Sequence, residues 1–174
     1  MIEIETEGIL TKIVRDLRKR TTIPQLLFSL IIGFMAVNLS LLVHESFHVI
    51  VARLLGVEAG ISQLMMFTGM SSIGETTMMQ FYLIALAGPI GAFLYGLWCY
   101  FFEKDSIIRV AGIVSFFYSV LPSLAPFMPG SDMAQVIAKG FNPLLGWIIY
   151  LLIFGYCFKL VIQEVIEEKW KKYL

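Results

Sequence analysis

Charge is what this chain has least of. Only 15% of its 174 residues are Asp, Glu, Lys or Arg and 58% are hydrophobic, with a mean hydropathy of +0.81, whereas soluble domains are about a quarter charged. This composition excludes an ordinary soluble globule and reads as a membrane protein. Basic and acidic residues balance at 13 each, so there is no excess positive charge of the kind a nucleic acid partner needs. Cysteine is nearly absent. Cys99 and Cys157 stand alone inside apolar runs, which rules out a disulfide framework or a thiolate zinc spacing and leaves both as small core residues. No internal repeat or low-complexity tract is visible. Residues 1–20 are too polar for the apolar region of a cleavable signal peptide, so targeting falls to the first membrane span. Histidine is the last scarcity: the chain has two, four positions apart.

The apolar residues gather into four runs free of Asp, Glu, Lys and Arg, at 21–43 and about 80–102, 110–127 and 141–158. Each is near the length that crosses a bilayer. Pro24 suits the first turn of the first helix, whose helicity is expected to continue to Leu55, with Gly56 as its stop. Ahead of it, Ile4, Ile9, Leu10, Ile13, Val14 and Leu17 share a helical stripe, with acids early and bases late, which predicts an amphipathic helix on the membrane surface. Residues 57–79 carry a β-prone stretch, Ile61 to Phe67, followed by Gly69, Ser71, Ser72 and Gly74. That pattern predicts a short strand or hairpin, packed on protein or at the interface because a lipid-exposed strand is not viable. Met65, Met66, Met78 and Met79 read as ordinary packing residues. Between positions 121 and 143, Pro122, Pro126, Pro129, Gly130, Gly140 and Pro143 crowd together, so the third helix must break or end there.

The expected architecture is a single all-α membrane domain over residues 1–174. It comprises a surface helix (1–20), a transmembrane core (21–158) of about four helices with a short β-hairpin or re-entrant segment after the first, and a polar tail (159–174).

His44-Glu45-Ser46-Phe47-His48 lies where the first apolar run ends. Positions i and i+4 of a helix share a face, so both imidazoles can reach one metal ion, and the carboxylate beside the first can take a proton from a water held there. The bland alternative is a solvated helix end that happens to carry two histidines. It loses ground because ionisable residues in apolar spans are rare and usually functional. A catalytic zinc commonly takes three protein ligands, and no third histidine exists. Of the acids outside the polar termini, Glu45 is better placed as base. Glu103 and Asp105 sit with Lys104 in a charged turn, and Glu58 and Glu75 flank the predicted hairpin. Asp132, beside the broken segment, is the best third ligand, with a loop-capping aspartate as the plainer reading.

These stretches together resemble the site-2 protease family of intramembrane zinc metalloproteases. The His44–His48 motif running into Val49 to Val57 resembles the family's motif helix and its Gly-Val exit. Ala85-Leu86-Ala87-Gly88-Pro89-Ile90-Gly91 resembles its A-G-P segment, and Leu121-Pro122 through Pro129-Gly130-Ser131-Asp132 resembles the approach to its ligand aspartate. Three positions depart from the pattern. Ala92 stands where the family often has an asparagine implicated in holding substrate, Met133 stands where a glycine usually follows the aspartate, and the spacing from Pro122 to Asp132 is longer.

The resemblance implies hydrolysis of a peptide bond in or near a transmembrane segment of a membrane protein. One Zn2+ per chain would be held by His44, His48 and Asp132, with Glu45 as the proton acceptor. It also implies a multi-pass protein of the cell membrane with a membrane-associated hairpin at 61–75; an exposed strand edge there is expected to take up the unwound substrate by strand addition. Asn142 and Tyr118 are candidates for an oxyanion donor, with capping and packing as their plainer roles. The positive-inside rule, applied to four spans, puts both termini in the cytoplasm; the resemblance implies the reverse. The competing functions are a membrane metal transporter or sensor without hydrolysis, and a scaffold in which the motif is accidental.

Overall fold

The computed structural model describes residues 23–65, 68–102 and 106–166. The expected amphipathic helix, the charged turn at 103–105, Met66 and the end of the polar tail lie outside the described residues. What is described is mainly helical. Helix α1, Ile23–Leu54, is followed by the antiparallel strands β1, Ala59–Met65, and β2, Thr68–Ile73. Helix α2 covers Met78–Phe102 and α3 covers Ser106–Ser115; a π-helical turn, Phe116–Val120, then leads into α4, Leu121–Leu124. Two further helices close the order, the short α5, Asp132–Ala138, and the long α6, Pro143–Ile166.

Among the described residues three helical stretches are long and apolar enough to cross a membrane: Leu30–Leu54, Met78–Phe101 and Pro143–Gln163. The third apolar run differs from the expectation of a fourth such span. Its apolar helical part, Ala111–Leu124, covers only about 21 Å at 1.5 Å per residue, against about 30 Å of hydrocarbon. The helix widens into the π turn, where the Leu121 amide bonds back to the Phe116 carbonyl, and ends within a turn of Pro122, with Ala125 in extended conformation. Large apolar side chains, Leu30, Met35, Leu94, Leu151 and Leu152 among them, face outward, a surface suited to lipid and unlike that of a soluble monomer.

The interior is built on close helix contacts. Helix α1 packs chiefly on α2, and α2 on α3. A β-carbon at Gly112 would lie 2.6 Å from the Gly96 carbonyl oxygen, so α2 and α3 cross through this glycine pair, as small residues permit in membranes. The main apolar cluster contains Ala92, Tyr100, Phe116, Val120, Leu124, Met133, Cys157 and Leu160, which bears out the packing role of Cys157; Cys99 is also buried. One polar thread crosses this interior. Ser115 Oγ donates to the Ala92 carbonyl at 3.0 Å and therefore accepts from Ser40 Oγ, 2.8 Å away.

Gly56, at φ +75°, turns the chain out of α1. Val57 is buried against Ala52 and Ile84, and the Arg53 guanidinium donates twice to the Ala59 carbonyl, at 3.1 and 3.0 Å. The hairpin is thereby docked on the end of the helix that carries the histidine motif, in agreement with the expected strand pair.

Candidate metal centre

His44 and His48 lie one turn apart on α1, with their rings edge to face and centroids 4.7 Å apart. Their exposures of 5% and 4%, and 6% for Glu45, exclude the solvated helix end. The three residues bring ligand-type atoms within 4.8 Å of one another, a buried group able to hold a metal ion. Asp132, at the start of α5, reaches the same point. Its Oδ2 is 3.2 Å from His44 Nε2 and its Oδ1 is 3.6 Å from His48 Nε2, while the two Nε2 atoms are 3.0 Å apart. Ligands about 2.0–2.1 Å from a tetrahedral zinc lie about 3.3–3.4 Å from each other, so these edges bracket the required size. The charge argument runs the same way. Two carboxylates are gathered in an apolar setting, no Lys or Arg lines the cavity among the described residues, and a divalent cation would offset the cost of burying them.

The orientation of His48 is settled by α2. Its Nδ1–H donates to the Ile84 carbonyl at 2.6 Å, which leaves the Nε2 lone pair facing the site, the arrangement that supporting groups give ligand imidazoles. Pro89 lies within this stretch of α2 and has no amide proton for the Ala85 carbonyl, so helical bonding is loosened beside the acceptor that His48 uses. His44 Nδ1 is buried with no hydrogen-bond partner.

Gly88 sets how closely α2 approaches. A β-carbon there would lie 2.2 Å from His48 Nε2 and 2.8 Å from His44 Nε2, and one at Gly91 would meet the Phe47 ring at 2.1 Å. The two glycines of the A-G-P stretch are thus the cradle into which the motif face of α1 fits.

Asp132 is presented by a tightly bonded connection. Gly130 takes φ +83°. Ser131 Oγ donates to the Ala125 carbonyl at 2.7 Å and accepts the Ala134 amide at 3.1 Å. Ser131, not Asp132, is therefore the N-cap of α5, and the loop-capping reading of the aspartate fails because its neighbour does that work. Met133 is fully buried in the main apolar cluster; a side chain at that position anchors α5 with Asp132 turned toward the histidines.

A cavity of about 760 Å³ opens beside the donors, lined in part by Glu45, Met70, Ser71, Tyr118, Ser119 and Gln135. Tyr118 faces it. Asn142 does not line it, and its Oδ1 accepts the Leu144 amide at 2.9 Å as a cap of α6, which removes it as an oxyanion donor. Ala92 is buried in the core, away from the cavity walls, while Glu58 and Glu75 are exposed. Sequence reasoning missed Ser71, whose Oγ donates to Glu45 Oε2 at 2.7 Å; nothing in the linear pattern links positions 45 and 71. It also missed Ser131 as a cap, although Ser ahead of a short helix is a usable signal.

Comparison with protein-family models, with curated proteins and with solved structures gives no match for this chain. What the chain itself shows is a buried group, His44, Glu45 and His48, able to hold a metal ion, with the part-buried Asp132 beside it.

Proposed function

We propose that this chain is a zinc metalloprotease of the site-2 type, an integral protein of the cell membrane that cleaves a peptide bond in or near a transmembrane segment of another membrane protein. One observation carries the reading: His44, His48 and Asp132 converge with zinc-like spacing while a fourth group, Glu45, stands beside them on the cavity wall. His44 and His48 are the nitrogen ligands, Asp132 the oxygen ligand, and Glu45 the proton carrier. Bound zinc supplies Lewis acidity toward the scissile carbonyl and toward water. Glu45 accepts the proton of the attacking water and returns it to the leaving amine nitrogen as the C–N bond breaks.

A helical substrate hides its carbonyls in its own hydrogen bonds, so it must unwind before it enters. The two-stranded sheet has an outer edge to which the unwound segment can add. His44 is ten residues from the end of α1, about 15 Å along the axis, and on this reading the centre lies within the bilayer. Ser106–Leu124 makes about 28 Å of helix in all, and we read it as the fourth membrane element.

The test is bound zinc and peptide cleavage for the purified wild type, Glu45→Gln and His44→Ala. The reading expects one zinc per chain in the wild type. Glu45→Gln keeps it but cleaves at least about a hundredfold more slowly, and His44→Ala loses both zinc and cleavage. A transporter would instead carry zinc across vesicles in the Glu45→Gln form, and a scaffold would hold no stoichiometric metal.

A further inference from the structure

The hairpin meets Glu45 through a side-chain hydrogen bond. Ser71 of β2 donates its hydroxyl proton to Glu45 Oε2 at 2.7 Å across 26 residues of sequence, a well-formed O–H···O distance. We infer that Ser71 is a positioning residue for Glu45, so that the hairpin sets the orientation of the group we propose as the base. This rests on the protease reading.

Three features make Ser71 a fixed donor. First, the hairpin is anchored at its base: Arg53 holds the Ala59 carbonyl, and the Gly74 amide donates to the Glu58 carbonyl at 2.9 Å. Second, the register is irregular just where Ser71 lies. Ile61 pairs with Ser71 and Gln63 pairs with Met70, so Ser62 is an extra residue, and its Oγ donates to the Met70 carbonyl at 3.0 Å. Such a bulge bends the strand and re-aims the neighbouring side chain. Third, Ser71 and Glu45 line the same cavity wall, while Glu45 itself is buried.

A glutamate has three side-chain torsions. With one oxygen held by Ser71, the carboxylate has a defined plane, and the other oxygen is free to meet the water. Without that donor the carboxylate would sample other rotamers, and a displacement of about 1 Å is enough to cost about a hundredfold in rate. A hydroxyl that merely stitched the hairpin down would affect substrate binding and stability instead.

The test uses the full-length protein with Ser71→Ala and Ser71→Thr. Ser71→Ala is expected to keep one zinc per chain and a KM within about twofold of wild type, while kcat falls about ten- to a hundredfold; Ser71→Thr, which retains the hydroxyl, restores most of kcat. An unchanged kcat, a loss confined to KM or to zinc, or a threonine form as poor as the alanine form overturns the inference. An infrared measurement separates this outcome from failure of the protease reading. The carboxylate band assigned to Glu45 by its loss in Glu45→Gln should shift in Ser71→Ala and return in Ser71→Thr, whether or not a peptide is cleaved. A band that does not move overturns the inference on its own.

Discussion

At position 88 an added methyl group would fall within 2.2 Å of one imidazole nitrogen and 2.8 Å of the other, in the space a cation between them would use. Gly88→Ala is therefore expected to lose most of its bound metal and to destabilise the protein by about 1–3 kcal/mol, the usual cost of overpacking. Metal content by elemental analysis checks the first effect and thermal unfolding the second. Gly33→Ala is the control. A β-carbon there meets nothing within 4 Å, and the change should keep the metal and add up to about 1 kcal/mol of helix stability. At this scale the two histidines and Glu45 were legible because helical spacing is local. Asp132 was legible because prolines and glycines announce a broken segment. Gly88 was visible only as part of a resembling motif, since its role depends on which helix lies against it. The contact of Ser71 with Glu45 depends on a one-residue bulge and could not be read at all.

Elements position the centre through two kinds of junction. The α2–α3 crossing depends on the absence of side chains at Gly96 and Gly112, and the α5 helix depends on the bonded connection from Ala125 to Ser131. Gly112→Val would push a branched side chain against the Gly96 carbonyl and the Tyr100 amide, which already lie 2.6 and 3.0 Å from a single added carbon. The expected result is a loss of at least about 1–3 kcal/mol, read as a lower unfolding midpoint in detergent. If the midpoint is unchanged, close approach of these helices is not what holds the bundle. The long helices and the hairpin follow from hydropathy runs and β-prone composition. The third run is divided by a π turn and a proline, which hydropathy does not register because it only counts apolar residues.

Across the whole molecule, the candidate metal centre joins parts far apart in sequence. His44 and His48 come from α1 and Asp132 from the start of α5, with α2 wedged between through Gly88. A bound cation would therefore act as a cross-link, and its removal should loosen the attachment of α5. Chelation is expected to lower the unfolding midpoint, and excess zinc to restore it, by an amount corresponding to about 2.7 kcal/mol at a hundredfold excess over Kd. Asp132→Ala should resemble the chelated wild type and gain little from added zinc. A midpoint indifferent to chelator in protein shown to carry metal would mean that the cation does not tie these elements together.

Local periodicity alone dictated the apolar spans, the helical face shared by His44 and His48, the strand-prone stretch after Gly56 and the break before Asp132, because each depends on neighbours within a few residues. Only the folded chain decided that the aspartate meets the imidazoles, that Ser131 rather than Asp132 caps α5, that a glycine must sit beneath the nitrogens and that a hairpin serine holds the glutamate. Those outcomes depend on how far apart helices pack and on the register of two strands, distances of a few ångströms set by the packing of the interior and not by any one segment.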